Sequence, residues 1–164
     1  MIRKQHKKYS TPRTLFDKAR IEEENLLIKK YGLKNKREIW KADYFVDKLR
    51  NQAKKLITAS AEKQQNFILK LAEKGLVKAT SQIDDVLALT KEAVLERRLQ
   101  TIVFKKKFAA TIKEARQLIN HRHIKINESI VTVPSYFINL DEEGKISIYL
   151  KKKAKKQEET IENG

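Results

Sequence analysis

The sequence predicts an α+β protein: a helical N-terminal part, then a small module of two helices and four strands, with basic segments at both ends. Three observations carry that prediction. Apolar residues recur at helical spacing as far as Ile119, Gly and capping signals punctuate that stretch, and beyond it the apolar period drops from 3.6 to 2. The organisation reads as a basic extended arm over residues 1–13, a helical domain over 14–90, the module over 91–150 and a charged tail over 151–164.

Each element follows from local chemistry. Thr14, three residues before Asp17, offers an N-cap for a first helix through Leu15, Ala19, Leu26 and Leu27, and Tyr31-Gly32 supplies a left-handed stop. Asn35 followed by Glu38 signals a second start, and Ile39, Ala42, Val46, Leu49, Ala53 and Leu56 form one apolar stripe beyond it. Ser60 is placed to cap a third helix bearing Phe67, Ile68 and Leu71, closed by Gly75, with Leu76 set for the apolar contact that follows such stops. Ser81 and Asp84 cap a short fourth segment through Val86 and Leu87.

Thr90 opens a helix with Val94, Leu95, Leu99, Ile102 and Val103 that runs into Lys105-Lys106-Lys107, and cations suit that C-terminal end. Thr111 with Glu114 forms a capping box for a short helix carrying Ala115, Leu118 and Ile119. Ile124-Lys125-Ile126 and Ile130-Val131-Thr132-Val133 then read as a hairpin across Asn127-Glu128-Ser129, with Pro134 limiting the ladder. Phe137 to Leu140 and Ile146 to Leu150 read as a second pair across the turn Asp141-Glu142-Glu143-Gly144.

Composition excludes several functions. The 164 residues contain no cysteine, three histidines and four glycines, which argues against disulfide, thiol, zinc and glycine-loop nucleotide chemistry. Apolar runs such as Leu26-Leu27-Ile28 fall far short of the roughly 20 residues that cross a bilayer, so no membrane partner is expected. No P-loop, dinucleotide fingerprint or G-x-S-x-G is present, and an enzyme is not expected. The pairs Asp84-Asp85 and Glu142-Glu143 read as a helix cap and a turn, and His121 with His123 lacks further ligands nearby, so no cofactor is expected.

What the chain has in excess is positive charge. The formal net charge is +16, carried by 37 basic against 21 acidic residues. The arm and first two helices contribute +10 and residues 91–123 another +6, while residues 58–90 are neutral. Separation of this kind seeks a polyanion, and the predominance of lysine points to phosphate. The arm, with Arg3, Lys4, Lys7, Lys8 and Arg13, lacks acidic residues through Tyr9 and needs a polyanion to order it. On the short helix after Thr111, Lys113, Arg116 and Gln117 share the face opposite the apolar one, and only Glu114 is available nearby as a counter-ion for Arg116. With Lys105, Lys106 and Lys107 before them and His121, His123 and Lys125 after, they form a basic ridge for nucleic acid. Trp40, beside the stripe of the second helix, reads first as a packing residue and second as a stacking platform.

The stretch from Glu96 to Tyr136, with Arg97-Arg98-Leu99-Gln100, Ala115-Arg116-Gln117-Leu118-Ile119, His121-Arg122-His123-Ile124 and Val131-Thr132-Val133-Pro134-Ser135-Tyr136, resembles the S-four RNA-binding domain. Residues 10–57, above all Tyr31-Gly32-Leu33-Lys34-Asn35-Lys36-Arg37-Glu38-Ile39-Trp40, resemble the N-terminal helical part of the archaeal and eukaryotic small-subunit ribosomal proteins of that family. The resemblance implies a structural constituent of the small ribosomal subunit in the cytoplasm. It implies a primary binder of 16S- or 18S-type rRNA that nucleates assembly of the subunit body beside other ribosomal proteins, near where mRNA enters. By position it implies RNA contacts at Lys34, Lys36, Arg37, Trp40, Lys41, Arg97, Arg98, Lys105, Lys106, Lys113, Arg116, Gln117, His121 and His123. A free-standing RNA-binding regulator or ribosome-rescue protein built on the same module is the alternative. One departure stands out: Arg122 occupies the place of the family's usual glycine between the histidines. Either arginine takes a left-handed backbone at a cost of roughly 1 kcal/mol, or the turn differs there.

Overall fold

The computed structural model describes residues 7–149. Of the expected contact residues, Arg3 and Lys4 lie outside that range, as do residues 1–6 of the basic arm, the tail from 151 and Leu150 at the end of the expected last strand. The described chain contains α1 (Lys18–Tyr31), α2 (Arg37–Leu56), α3 (Ala61–Glu73), α4 (Ile83–Leu87), α5 (Lys91–Glu96), α6 (Leu99–Lys105), α7 (Ile112–Asn120), β1 (Ile124–Ile126), β2 (Ser129–Ile130), α8 (Leu140–Glu143) and β3 (Ile146–Ile148). The α+β class holds.

Helix ends are set by local chemistry. At the end of α1, Gly32 takes a left-handed φ of 57°, and the N–H of Leu33 returns to the carbonyl of Ile28. Gly75 repeats the device after α3 with φ 67°: its N–H and that of Leu76 bond back to Ala72 and Leu71, and Leu71 and Leu76 are both buried. The same closure recurs at two positions without glycine. Lys107 ends α6 at φ 60° and Arg122 ends α7 at φ 65°, with Phe108 and His123 donating to Val103 and Leu118. Arginine therefore adopts the left-handed backbone that the family's glycine takes freely. The Thr111 capping box of α7 forms as expected, Thr111 Oγ1 accepting from Glu114 N–H.

Packing divides into two apolar cores. The first gathers Leu27, Tyr31 and Leu33, the buried stripe Ile39, Ala42, Val46, Leu49 and Ala53 of α2, Leu71 and Leu76, and Val86, Leu89, Val94 and Leu95. Leu56, expected on that stripe, is only half-buried at its end. The second joins Leu99, Ile102 and Val103 of α6 to Ala115 and Ile119 of α7 and to Ile124, Ile126, Ile138 and Ile146. Two neighbouring side chains stitch the cores together. Phe137 packs on the first, with its ring centroid 6.1 Å from that of Phe45, while Ile138 is fully buried in the second.

Six expectations need correction. Thr14 does not cap α1, because Arg20 binds the carbonyls of Thr14 and Leu15 at 2.9 and 3.1 Å and holds that segment outside the helix, which starts after Asp17. Leu15 and Leu26, assigned to its apolar face, are exposed. The cap of α4 is Gln82 with Asp85, not Ser81 with Asp84. The single helix expected from Thr90 to Lys105 is two, broken at Arg97-Arg98, where ψ of Arg98 opens to 144°. The break is tertiary in origin: Arg98 pairs with Phe137, and the first N–H groups of α6, on Leu99 and Gln100, bond to Tyr136 and Pro134 carbonyls. That pairing also takes Phe137 to Leu140 away from the sheet, which has three strands among the described residues rather than four, in antiparallel order β2-β1-β3. The expected turn at Asp141 to Gly144 is largely the short helix α8, capped by Asn139 with Glu142, so β3 pairs with β1 across Ile124–Ile148 and Ile126–Ile146.

Candidate nucleic-acid interface

The site grows from one carboxylate. Glu38, in the first turn of α2, reaches the module and receives Arg98 and Arg116 together: Arg98 Nη2 lies in close contact with Oε2, and Arg116 Nη2 is 3.0 Å from Oε1. The pairing is screened from water, with Glu38 and Arg98 side chains only 14% and 8% exposed. Burial pushes the Glu38 carboxyl up, but hydrogen bonds from Arg116 and Arg98 and their charges outweigh it and hold the group below the ordinary carboxylate value.

Beside this clamp sits Gln100, 1% exposed. Its amide N–H groups lie 3.0 Å from the carbonyls of Gly32 and Ile112, and its Oε1 accepts from Arg116 Nη1 at 3.2 Å. The end of α1, the start of α7 and the arginine clamp are thereby tied to one side chain. Gly32 is required for the approach, since a Cβ there would come within 2.6 Å of Ile112 Cγ2. Sequence reasoning missed Glu38 and Gln100. The one local signal was a glutamine inside the apolar run Leu99 to Val103.

The expectation that Arg116 lacks any counter-ion but Glu114 is therefore overturned. Glu114 is engaged by its own capping box, accepting from the N–H groups of Ala110 and Thr111, and the partner of Arg116 comes from 78 residues away. Arg97 likewise turns to the protein, donating to Glu143 at 2.7 Å and to the Ile138 carbonyl at 3.0 Å. Lys106 binds the Glu143 carbonyl, and exposed Lys105 pairs with Glu96 at 3.2 Å.

In the helical part, Glu24 plays a comparable role. It is 3% exposed and receives Arg20 at 2.6 Å, Trp40 Nε1 at 3.0 Å and Lys36 at 3.0 Å. Burial raises its carboxyl, but the hydrogen bonds from Trp40, Lys36 and Arg20 bring it below the ordinary value. Trp40 is thus fixed by its indole N–H, and Tyr9 stacks on its ring at 6.3 Å with Arg37 over the tyrosine. The packing reading of Trp40 describes its surroundings here.

Several expected cations remain exposed without an ion pair among the described residues: Lys7, Lys8, Arg13, Lys34, Arg37, Lys41, Lys107 and Lys113. Arg37 and Lys41 of α2 line one cleft of about 470 Å³ with Arg98 and Arg116 of the module, so the clamp brings cations of both parts to a common opening. Lys113 and Gln117 are exposed on α7, and Gln117 shares a shallower concavity with His121 and His123. The two imidazole centroids are 6.5 Å apart. Lys125, on the outer face of β1, lies over the ring of Tyr149. Fixed arginines backed by a carboxylate and ringed by mobile lysines suit a phosphate backbone, the arginine forks giving geometry and the lysines charge.

Residues 97–143 match the S4 domain family. Small ribosomal subunit protein uS4 of Thermoplasma volcanium is 47% identical over 151 residues, covering 88% of this chain and 76% of that protein. The protein of the same name from Saccharolobus solfataricus is 46% identical over 153 residues, covering 90% and 84%. That from Methanothermobacter thermautotrophicus is 41% identical over 165 residues, covering 98% and 96%.

Proposed function

The chain belongs to the small ribosomal subunit protein uS4 family, and from that premise we propose that it is a structural constituent of the small ribosomal subunit, in the cytoplasm, binding rRNA and neighbouring ribosomal proteins. The observation that carries the binding mode is the cleft where Arg37 and Lys41 meet Arg98 and Arg116. Neither part alone assembles that set of cations. We read it as a binding protein: among the described residues Glu24 and Glu38 are engaged by arginines and lysines, and Asp85 and Glu142 by helix starts.

The finer reading is that it binds rRNA early and directly, nucleating the subunit body, near where mRNA enters. Family resemblance supports this, as does the pre-formed Glu38 clamp, which lets the surface meet RNA with little ordering left to do. Contacts are assigned to Arg37, Lys41, Arg98 and Arg116, which line the cleft, and to Lys34, Lys107, Lys113 and Gln117, which are exposed elsewhere on the surface. Lys7, Lys8 and Arg13 extend the surface on the arm side.

Sedimentation tests the reading. In high-salt sucrose gradients the protein should stay with small subunits at one copy per particle. Recovery in free fractions, or at far less than one copy, would instead favour a free-standing regulator or rescue factor.

A further inference from the structure

The outer face of the sheet belongs to neither core. Ile124, Ile126 and Ile146 point inward and are buried, so strand alternation puts His123, Lys125, Ile130, Ser147 and Tyr149 together on the other face. The register agrees, with Lys125 opposite Ile130 on one side and Ser147 on the other. Tyr149 is anchored by its backbone, its N–H donating to the His123 carbonyl at 2.6 Å. Lys125 Nζ sits over one face of its ring, 4.1 Å from the centroid, and Tyr149 and Ile130 are 37% and 43% exposed.

We propose that this face binds single-stranded RNA, with an unpaired base stacked on Tyr149 beside Ile130 and its phosphate near Lys125. Three features select that occupant. Two of the five positions carry a cation or an imidazole and none carries a carboxylate, so the charge complements a polyanion. A strand surface bearing an aromatic ring and an isoleucine offers stacking and apolar contact, which an unpaired base accepts and a base-paired one does not. A duplex hides its ring faces inside the helix and so cannot stack on Tyr149. The surface goes beyond the proposed rRNA reading, which rests on phosphate contacts at the cleft and needs no base stacking.

Two probes separate the modes in the full chain: an oligouridylate of about 12 nucleotides and an RNA duplex of similar length, followed by fluorescence anisotropy. Tyr149→Ala should weaken oligouridylate binding about tenfold, whereas Tyr149→Phe, which keeps the ring, should hold it within about twofold. Duplex affinity should change by less than about twofold for both variants. Independently of any variant, oligouridylate carrying 4-thiouridine should photocrosslink the wild-type chain within the peptide that contains Tyr149. The proposal is overturned if Tyr149→Ala binds oligouridylate like wild type, if it weakens oligouridylate and duplex equally, or if wild-type cross-links fall only on α7.

Discussion

Glu38→Gln removes the charge that joins the two cores while keeping the side chain's size. In the native protein the carboxylate faces two guanidinium groups, with Arg98 almost wholly buried and Arg116 22% exposed. Unpairing a buried charge costs roughly 3 to 5 kcal/mol, and the lower figure applies because Arg116 keeps some water and glutamine keeps one acceptor oxygen. A loss of about 3 kcal/mol corresponds to a fall in Tm of roughly 6 to 12 °C for a chain of this size. The pH dependence adds a sign. The Glu38 pKa is lower folded than its ordinary 4.5, so its contribution is fully present above that value and is lost as pH falls through the folded pKa. The gap between wild type and Glu38→Gln should therefore be widest near neutrality and close at acid pH. Calorimetric or circular-dichroism melts from neutral pH to about pH 3 give the comparison. Equal melting at neutral pH, or a gap that does not narrow on acidification, would refute the clamp.

Lys113→Glu should change stability by less than about 0.5 kcal/mol yet weaken binding to a small-subunit rRNA fragment several-fold at moderate salt. Arg116→Glu, three residues on, should also lower the melting temperature, because it sets a second carboxylate against Glu38; equal stability of the two variants would contradict their different surroundings. Gly32→Ala should destabilise by about 2 to 4 kcal/mol, from left-handed strain and the collision with Ile112 and Gln100, and a denaturant titration showing no shift would contradict the packing. Arg122→Gly should raise the melting temperature by about 2 to 4 °C, since glycine takes φ 65° without the side-chain penalty; a fall would show that Arg122 makes a stabilising contact.

How far the fold can be read from the sequence depends on the range of the interactions. The α2 stripe, the glycine stops at Gly32 and Gly75 and the Thr111 box are all encoded within a turn or two, and each forms. The larger failures were decided from afar. Arg97-Arg98 sits inside a continuous helical pattern, and only pairing with Phe137 opens the chain there. Phe137 to Leu140 has strand-forming residues, but Phe137 and Ile138 are needed by different cores and their backbone partners lie near α6 instead of in the sheet. The candidate site divides in the same way. Exposed lysines such as Lys34, Lys41 and Lys113 follow from charge patterning, whereas the role of Glu38 depends on guanidinium groups 60 and 78 residues distant, beyond any local pattern.

The cleft and the exposed cations of α2 and α7 are proposed to form a surface sufficient for direct recognition of small-subunit rRNA. Binding of the purified chain to protein-free small-subunit rRNA, with hydroxyl-radical footprinting and large-subunit rRNA as competitor, measures this most directly. Saturation at one site, a compact footprint lost in Lys113→Glu and Lys41→Glu, and little competition from large-subunit rRNA are expected. Binding only after other ribosomal proteins have been added, or equal affinity for both rRNAs, would contradict it.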